Sequence, residues 1–391
     1  MSNFGEINPA VVIGSYINGL GTIYSLAKSK IRIPIISVDS KHAQFGSYSK
    51  YVDDKIVFKN PDQFVTGLKK IYLKYGKRLV LFPTGNDYYF RLLFENFNKL
   101  ESFCYIPVNV DIAKNVMDKK FQHDIARGLG IPGPKSMTCS KKKFSSIIDN
   151  LELPIIVKPV TRNRDDQRFR LKILSNQKEV ARFKKDLSKL NVESFQASEV
   201  IPGNSTQLYT YGSYFYHGKP EGEYVGRKIT QYPFGFGVVC IAENKYNKEV
   251  RRLGRRLLSH LNFHGISQVE FKFDRRDCKF KLIEINPRSW MWVKLATECC
   301  VNLPLIQYRS MTGINVLPSK PVQTDKQKYY VVFSSVLRKL LKGQYQDAFF
   351  FFKNLGKFSF STFSIYDPLP SFMFWSWEIF SCARSSLRFF I

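Results

Sequence analysis

Three side chains in this sequence of 391 residues are suited to hold a divalent cation: Glu270, Glu284 and Asn286. Residues 268–274 read QVEFKFD and residues 281–288 read KLIEINPR. Both runs alternate with a period of two, and Arg275, Arg276, Asp277 and Cys278 between them suit a turn, so the pair reads as a β-hairpin. Side chains two apart on a strand point the same way, so the three donors can share one face. Hard oxygen donors on a rigid sheet suit magnesium, or manganese in its place. The competing reading is a strand pair with a polar solvent face. Acids are scarce here, 32 Asp and Glu against 60 Lys and Arg, so their clustering on one hairpin favours the cation.

Cationic residues sit at other informative places. Residues 153–159 read LPIIVKP, a β-branched strand that delivers Lys158 at its end. Arg227 and Lys228 are adjacent, ahead of Gly235 and Gly237, and suit a γ-phosphate or a carboxylate. Arginine grips such groups in a planar fork and lysine as a compact charge; the competing reading is a basic rim with glycine turns. Asp118 and Lys119 open a helix that Pro132 and Pro134 bring to an end. Taken alone, Lys119 reads as a solvated helix lysine.

Together these segments resemble the ATP-grasp ligases. EINPR at residues 284–288 matches that family's Glu-x-Asn-x-Arg pattern, with an acid on the preceding strand, and the resemblance spans roughly residues 10–315. It implies that Glu270, Glu284 and Asn286 hold Mg²⁺, and that Lys119 and Lys158 contact the ATP phosphates. The hinge SEVIPG at residues 198–203 would receive adenine through Glu199, Val200 and Ile201. Gln207 stands where the family often has a second acid for the ribose, and an amide still hydrogen-bonds a hydroxyl. Arg288, with Arg227 or Lys228, would meet the carboxylate and the developing phosphate charge. The family's glycine-rich loop is replaced by TRNRDDQR at residues 161–168, where backbone amides approach phosphate less freely and Arg162 or Arg164 would supply charge instead.

The implied activity is ATP-dependent joining of a carboxylate to an amine through an acyl phosphate, with ADP and phosphate released. The nearest branch resembles the carbamoyl-phosphate-synthase-like and D-aspartate-ligase-like members, some of which act in cell-envelope or surface-polysaccharide synthesis. The acid would then be a small molecule or a glycan- or lipid-linked carboxylate. The competing class is a non-catalytic ATP-binding module for sensing or scaffolding, which the glycine-free loop and Gln207 favour.

The expected fold class is α/β. Strands at residues 10–14, 33–39 and 79–83 alternate with helices, which argues for a parallel sheet. Gly14, Gly19 and Gly21 have the wrong spacing for a dinucleotide fingerprint, which sets NAD aside. By resemblance, residues 1–112 form a Rossmann-like domain preceding the ATP-grasp fold, residues 113–317 the ATP-grasp domain (113–197 and 198–317), and residues 318–391 a basic, aromatic helical extension. Residues 245–264 form an amphipathic helix whose arginines read as a solvated face. Pro318, Pro321 and residues 323–326 read as a linker.

A net charge of +28 favours anionic partners. No nucleic-acid module is present, so nucleic acid is not expected as a partner. Seven cysteines without a Cys-x-x-Cys pair, and five histidines without zinc spacing, suggest buried thiols in a reducing compartment and no structural zinc. The first residues lack the pattern of a signal peptide, and no apolar run reaches membrane-spanning length, so a cytoplasmic protein is expected, in one reading at the inner face of a membrane. The aromatic and basic tail suits peripheral contact with anionic lipid; equally, it suits a helical subdomain packed on the body.

Overall fold

The computed structural model describes residues 7–144, 148, 150–159, 171–190, 192–232, 237–317 and 321–387. The glycine-free segment with Arg162 and Arg164, and Gly235 and Pro318, lie outside the described residues.

Buried β-branched runs build the first layer. β1 (Ala10–Ile13), β2 (Ile35–Ser40), β3 (Asp54–Phe58), β4 (Leu79–Pro83) and β5 (Cys104–Tyr105) form a parallel sheet in the order β3-β2-β1-β4-β5. The expected α/β class and its three strands are present, but a further strand, β3, precedes residues 79–83. Its sequence DKIVF is charged and half exposed because it lies on the sheet edge, so it lacks the apolar run that marks β1 and β4. β2 starts at Ile35, after Pro34, which cannot donate to a ladder.

The helix Ile17–Leu26 is buried on every side. Its small residues let it sit between the first sheet and the body, where Leu20 and Ile23 share a core with Trp290, Trp292, Val293 and Leu305. One hydrophobic core therefore runs from the first sheet into the second.

Seven strands form the central sheet, ordered β14-β13-β10-β11-β12-β15-β16. They are β10 (Leu208–Tyr216), β11 (Lys219–Tyr232), β12 (Val238–Asn244), β13 (Gly265–Asp274), β14 (Lys279–Asn286), β15 (Tyr329–Val331) and β16 (Phe358–Phe360). A smaller sheet of four antiparallel-paired strands, ordered β6-β9-β7-β8, faces it with β6 (Ser136–Ser140), β7 (Ile155–Pro159), β8 (Lys172–Leu174) and β9 (Ser194–Glu199).

The helix Lys248–His260 buries Val250, Leu253 and Leu257 at helical spacing, and Asn247 caps it by accepting from the Val250 amide. Its basic face is not simply solvated. Arg251 and Arg255 both clamp the Glu223 carboxylate, which also accepts from the Tyr211 hydroxyl at 2.8 Å.

The C-terminal extension belongs to the body. β15 pairs with β12, and β16 with β15. Phe374 is buried in the core that holds Leu20 and Trp290, with its ring 5.2 Å from Phe45. Asp367 accepts from the Ser49 hydroxyl at 2.5 Å and the Lys50 amide at 3.1 Å. The segment read as a linker is tied down, because Gln323 exchanges two hydrogen bonds with the Val225 backbone and Asn244 holds the Thr324 and Lys326 carbonyls. Polar composition alone does not separate such a strap from a free linker. Among the described residues no helix is long and apolar enough to cross a membrane. Of the six free cysteines described, Cys278 and Cys300 are exposed and the rest buried, a correction to the expectation of buried thiols throughout.

Candidate active site

A cavity of about 940 Å³ lies where the three sheets meet. One wall is the expected hairpin. β13 and β14 pair antiparallel, with Gln268 opposite Asn286 and Glu270 opposite Glu284, so all four side chains share the face that lines the cavity. Beyond Glu270 the register shifts by one residue, a β-bulge that the alternation did not reveal. The turn is braced by Asp274, whose buried carboxylate accepts from Arg276 at 2.8 Å and Lys281 at 2.6 Å.

Each acid on this wall has a cation. Lys228 reaches Glu270 at 2.7 Å, both nearly buried, and Lys119 reaches Glu284 at 3.1 Å. The amide nitrogen of Asn286 donates to Glu284 at 3.1 Å, and Gln268 donates to Glu270 at 3.0 Å. Burial alone would raise the pKa of Glu284. The charges of Lys119 and Lys158 and the Asn286 hydrogen bond outweigh it and hold the carboxyl well below the usual carboxylate range. Glu284 therefore stays anionic across the physiological range.

Local structure explains how Lys119 arrives there. Asp118 caps the helix Lys119–Gly128 by accepting from the Lys120 amide, and Gln122 bonds both the amide and the carbonyl of Ile285. These contacts fix the helix start against β14. Lys158, at the end of β7, lines the cavity from the smaller sheet.

Arg227 and Lys228 part company because neighbouring strand residues face opposite ways. Lys228 faces the cavity, whereas Arg227 pairs with Glu243 at 2.5 Å and lies over the Tyr209 ring, away from the cavity wall. Arg288 lines the cavity and bonds Asp87 at 2.9 Å, linking the hairpin to the first sheet's domain. Glu199, Val200 and Ile201 all line the cavity. Gln207 is not brought to it. Its amide donates to the Phe273 carbonyl at 3.2 Å and packs under Gly203, where it fills the space a Cβ would take.

The lining residues that escaped the sequence reading of the site include Gln268, His123, Lys272 and Asn86. Gln268 lies two before Glu270, a spacing that marks it. His123 is one helical turn after Lys119, and burial together with Lys119 and Arg127 depresses its pKa. Lys272, two after Glu270, donates to the Ile201 carbonyl at 2.6 Å and the Gly203 carbonyl at 3.0 Å, and so braces the hinge. Burial lowers its pKa. Asn86 carried no mark: it caps the helix Asp87–Glu95 that positions the partner of Arg288.

Among the described residues no three His, Cys, Asp or Glu side chains come together as a metal cage. Two carboxylates and an amide form a partial set of hard donors. That fits magnesium, which keeps waters and takes the rest of its shell from phosphate oxygens.

No family model matches the sequence. The chain is similar to carbamoyl-phosphate synthase of Methanobrevibacter smithii, with 25% identity over 244 residues, 59% of this chain and 62% of that protein. It therefore spans less than two thirds of that relative's length. Among solved structures it is similar to an ADP complex of N5-carboxyaminoimidazole ribonucleotide synthetase, with a TM-score of 0.65, 15% identity, and coverage of 88% of this chain and 87% of the other. Biotin carboxylase from Campylobacter jejuni gives 0.61 and 14%, covering 84% and 76%. L-amino acid ligase from Bacillus licheniformis gives 0.58 and 13%, covering 78% and 74%. These neighbours are ATP-grasp proteins.

The chain has the ATP-grasp fold.

In this ATP-grasp fold the cavity lies between the smaller sheet and the central sheet, and the hairpin β13–β14 carries the acids and the Glu-x-Asn-x-Arg run on one wall.

Proposed function

We propose that the protein is an ATP-dependent carboxylate–amine ligase that forms an amide through an acyl phosphate. The observation that carries this reading is the convergence of Glu270, Glu284, Asn286, Lys119, Lys158, Lys228 and Arg288 on one cavity. In this reading the base lies between Ile156 of the smaller sheet and Leu208 and Ile283 of the central sheet, all of which line the cavity. The Val200 amide is committed to Pro154 and the Ile201 carbonyl to Lys272, so the hinge offers the Val200 carbonyl and the Ile201 amide to the base edge.

Glu270, Glu284 and Asn286 would hold Mg²⁺, which when bound neutralises phosphate charge. Lys119 and Lys158 steady the phosphates, and Lys228 and Arg288 face the transferred group. A carboxylate oxygen of the acid attacks the γ-phosphorus and ADP leaves. The amine nitrogen then attacks the acyl carbon, phosphate leaves, and the nitrogen loses a proton to give the amide. Such transfer rests on positioning and neutralised charge more than on covalent help from the protein. A phosphate-release screen with carboxylate–amine pairs, followed by mass spectrometry of the product, tests the reading. Amide formation with stoichiometric ADP supports it. Nucleotide binding without turnover on any pair would favour the sensing or scaffolding module instead.

The acid in this reading is anionic or lipid-linked, as in cell-envelope synthesis, and the enzyme works beside an anionic membrane. Tyr345, Phe349 and Phe352 recur at helical spacing across the helix Gln346–Lys353 and are 67%, 71% and 62% exposed. Lys342, Lys353 and Lys357 are exposed around them. Exposed aromatics rimmed by cations match the headgroup region of anionic bilayers. Flotation with phosphatidylglycerol vesicles should carry the wild type and not the Phe349→Ser/Phe352→Ser variant. Equal flotation of the two would remove the membrane from the proposal.

A further inference from the structure

The end of the cavity lined by the first sheet's loops carries cations without the paired acids of the hairpin wall. There Lys41, His42 and Lys59 join the lining from the first sheet. Ser40 and Phe58 are paired residues at the ends of the neighbouring parallel strands β2 and β3. Lys41 and Lys59 each follow one of them directly, so the two lysines are neighbours at the carboxyl edge of a parallel sheet. That edge is where open α/β sheets place their ligands.

The segment carrying Lys41 is built and held. Its amide donates to the Phe58 carbonyl at 2.8 Å, which bends the chain across the edge of β3. Lys41 itself has φ +68°, a left-handed conformation that a lysine rarely adopts. Asp39 braces the turn, accepting from the Ser15 amide and hydroxyl, the Ser47 hydroxyl and the Gln44 amide at 2.5–3.0 Å. The carboxylate closest in sequence to these cations is therefore fully engaged and buried. Asp87, on the facing helix, pairs with Arg288. Among the described residues neither Lys41 nor Lys59 has an ion pair, whereas Lys119 and Lys228 on the hairpin wall each meet a glutamate. A cavity of about 940 Å³ is at the upper end of the range for ligand sites, enough for a nucleotide and a second molecule side by side.

We infer that Lys41 and Lys59, with His42, seat a second oxyanion of the co-substrate, a phosphate or a carboxylate other than the one that is activated. This rests on the ligase reading for the nucleotide end and narrows the substrate class to acids or amines carrying a further anionic group. Two separated anions on one substrate would also fix its orientation between the first sheet and the hairpin.

Calorimetry on the full chain tests it. With Mg²⁺ and a nonhydrolysable ATP analogue saturating the nucleotide site, methyl phosphate is titrated in one arm and glutarate in another. The wild type should bind one of the two, and the arm that binds names the oxyanion. The Lys41→Met/Lys59→Met variant should bind it at least about tenfold more weakly, the scale of one lost charge-assisted hydrogen bond, with unchanged affinity for the nucleotide. Binding of neither anion, or equal binding by the variant, overturns the inference. Failure of the wild type to bind the nucleotide would instead strike the ligase reading, and the anion titrations without nucleotide would still report on the lysines.

Discussion

Glu284 occupies the point where the helix Lys119–Gly128 meets the hairpin, and its environment keeps it charged against the tendency of burial. That arrangement suits a ligand for a cation and not a titrating acid or base. Glu284→Gln removes a charged oxygen while keeping size and hydrogen bonding, so ADP formation should fall at least about a hundredfold, or about 2.7 kcal/mol, with the thermal midpoint nearly unchanged. Steady-state ADP release beside a melting curve checks both halves, and retained turnover with ordinary magnesium dependence would contradict the role. At this scale much was legible in the sequence. Period-two alternation placed Glu270, Glu284 and Asn286 on one face, and they line one cavity wall. Arg227 illustrates what was not legible: adjacency to Lys228 suggested a joint role, but strand alternation sends the two to opposite faces. Gln207 likewise matched a position in the chain while its side chain packs under Gly203.

At the scale of elements, the helix Lys248–His260 shows how a basic stripe becomes structural. Arg251, Arg255 and Tyr211 converge on Glu223 of β11. Burial opposes the charge of Glu223, but the two arginines overcome it and lower its pKa. Glu223→Gln leaves the half-exposed Arg251 and Arg255 without their anion and should cost about 1 kcal/mol of stability, measurable as a lower denaturation midpoint in urea. An unchanged midpoint would show that the clamp is only a solvated surface contact. Periodicity in the sequence exposed the apolar stripe of this helix. It did not expose the clamp, because Glu223 lies about 30 residues earlier in the chain and only the fold brings it near. The edge strand β3 and the bulge at Glu270 were hidden for a similar reason, since local pattern carries neither edge position nor register.

Across the whole molecule, the first sheet, the central sheet and the extension share buried contacts, so the cavity is formed by parts distant in sequence. The α/β character was readable from alternating strands and helices. The integration of the tail was not, because its aromatic composition suits both a membrane face and a core, and Phe374 and Phe349 take opposite fates. Electrostatics also act at this scale. His264 packs against the rings of His217 and Tyr216, and burial, followed by the charge of His217, lowers its pKa to about 4. Between about 6.5 and 4 the unfolded chain therefore binds the proton more readily than the folded one, and stability falls as pH drops through this window, by at most about 1.4 kcal/mol per unit. His264→Gln should flatten this part of the urea-midpoint profile, and an identical slope in the variant would assign the loss to other groups.

The ligase reading stands on a divalent ion between the hairpin acids and the nucleotide phosphates. Crystals grown with Mn²⁺ and a nonhydrolysable ATP analogue give an anomalous peak that locates the ion without ambiguity. The peak is expected within about 2.3 Å of Glu270 and Glu284, with the Asn286 oxygen turned toward it and Lys119 and Lys158 on the phosphates. A manganese ion held elsewhere, or phosphates bound away from both lysines, would contradict the central claim.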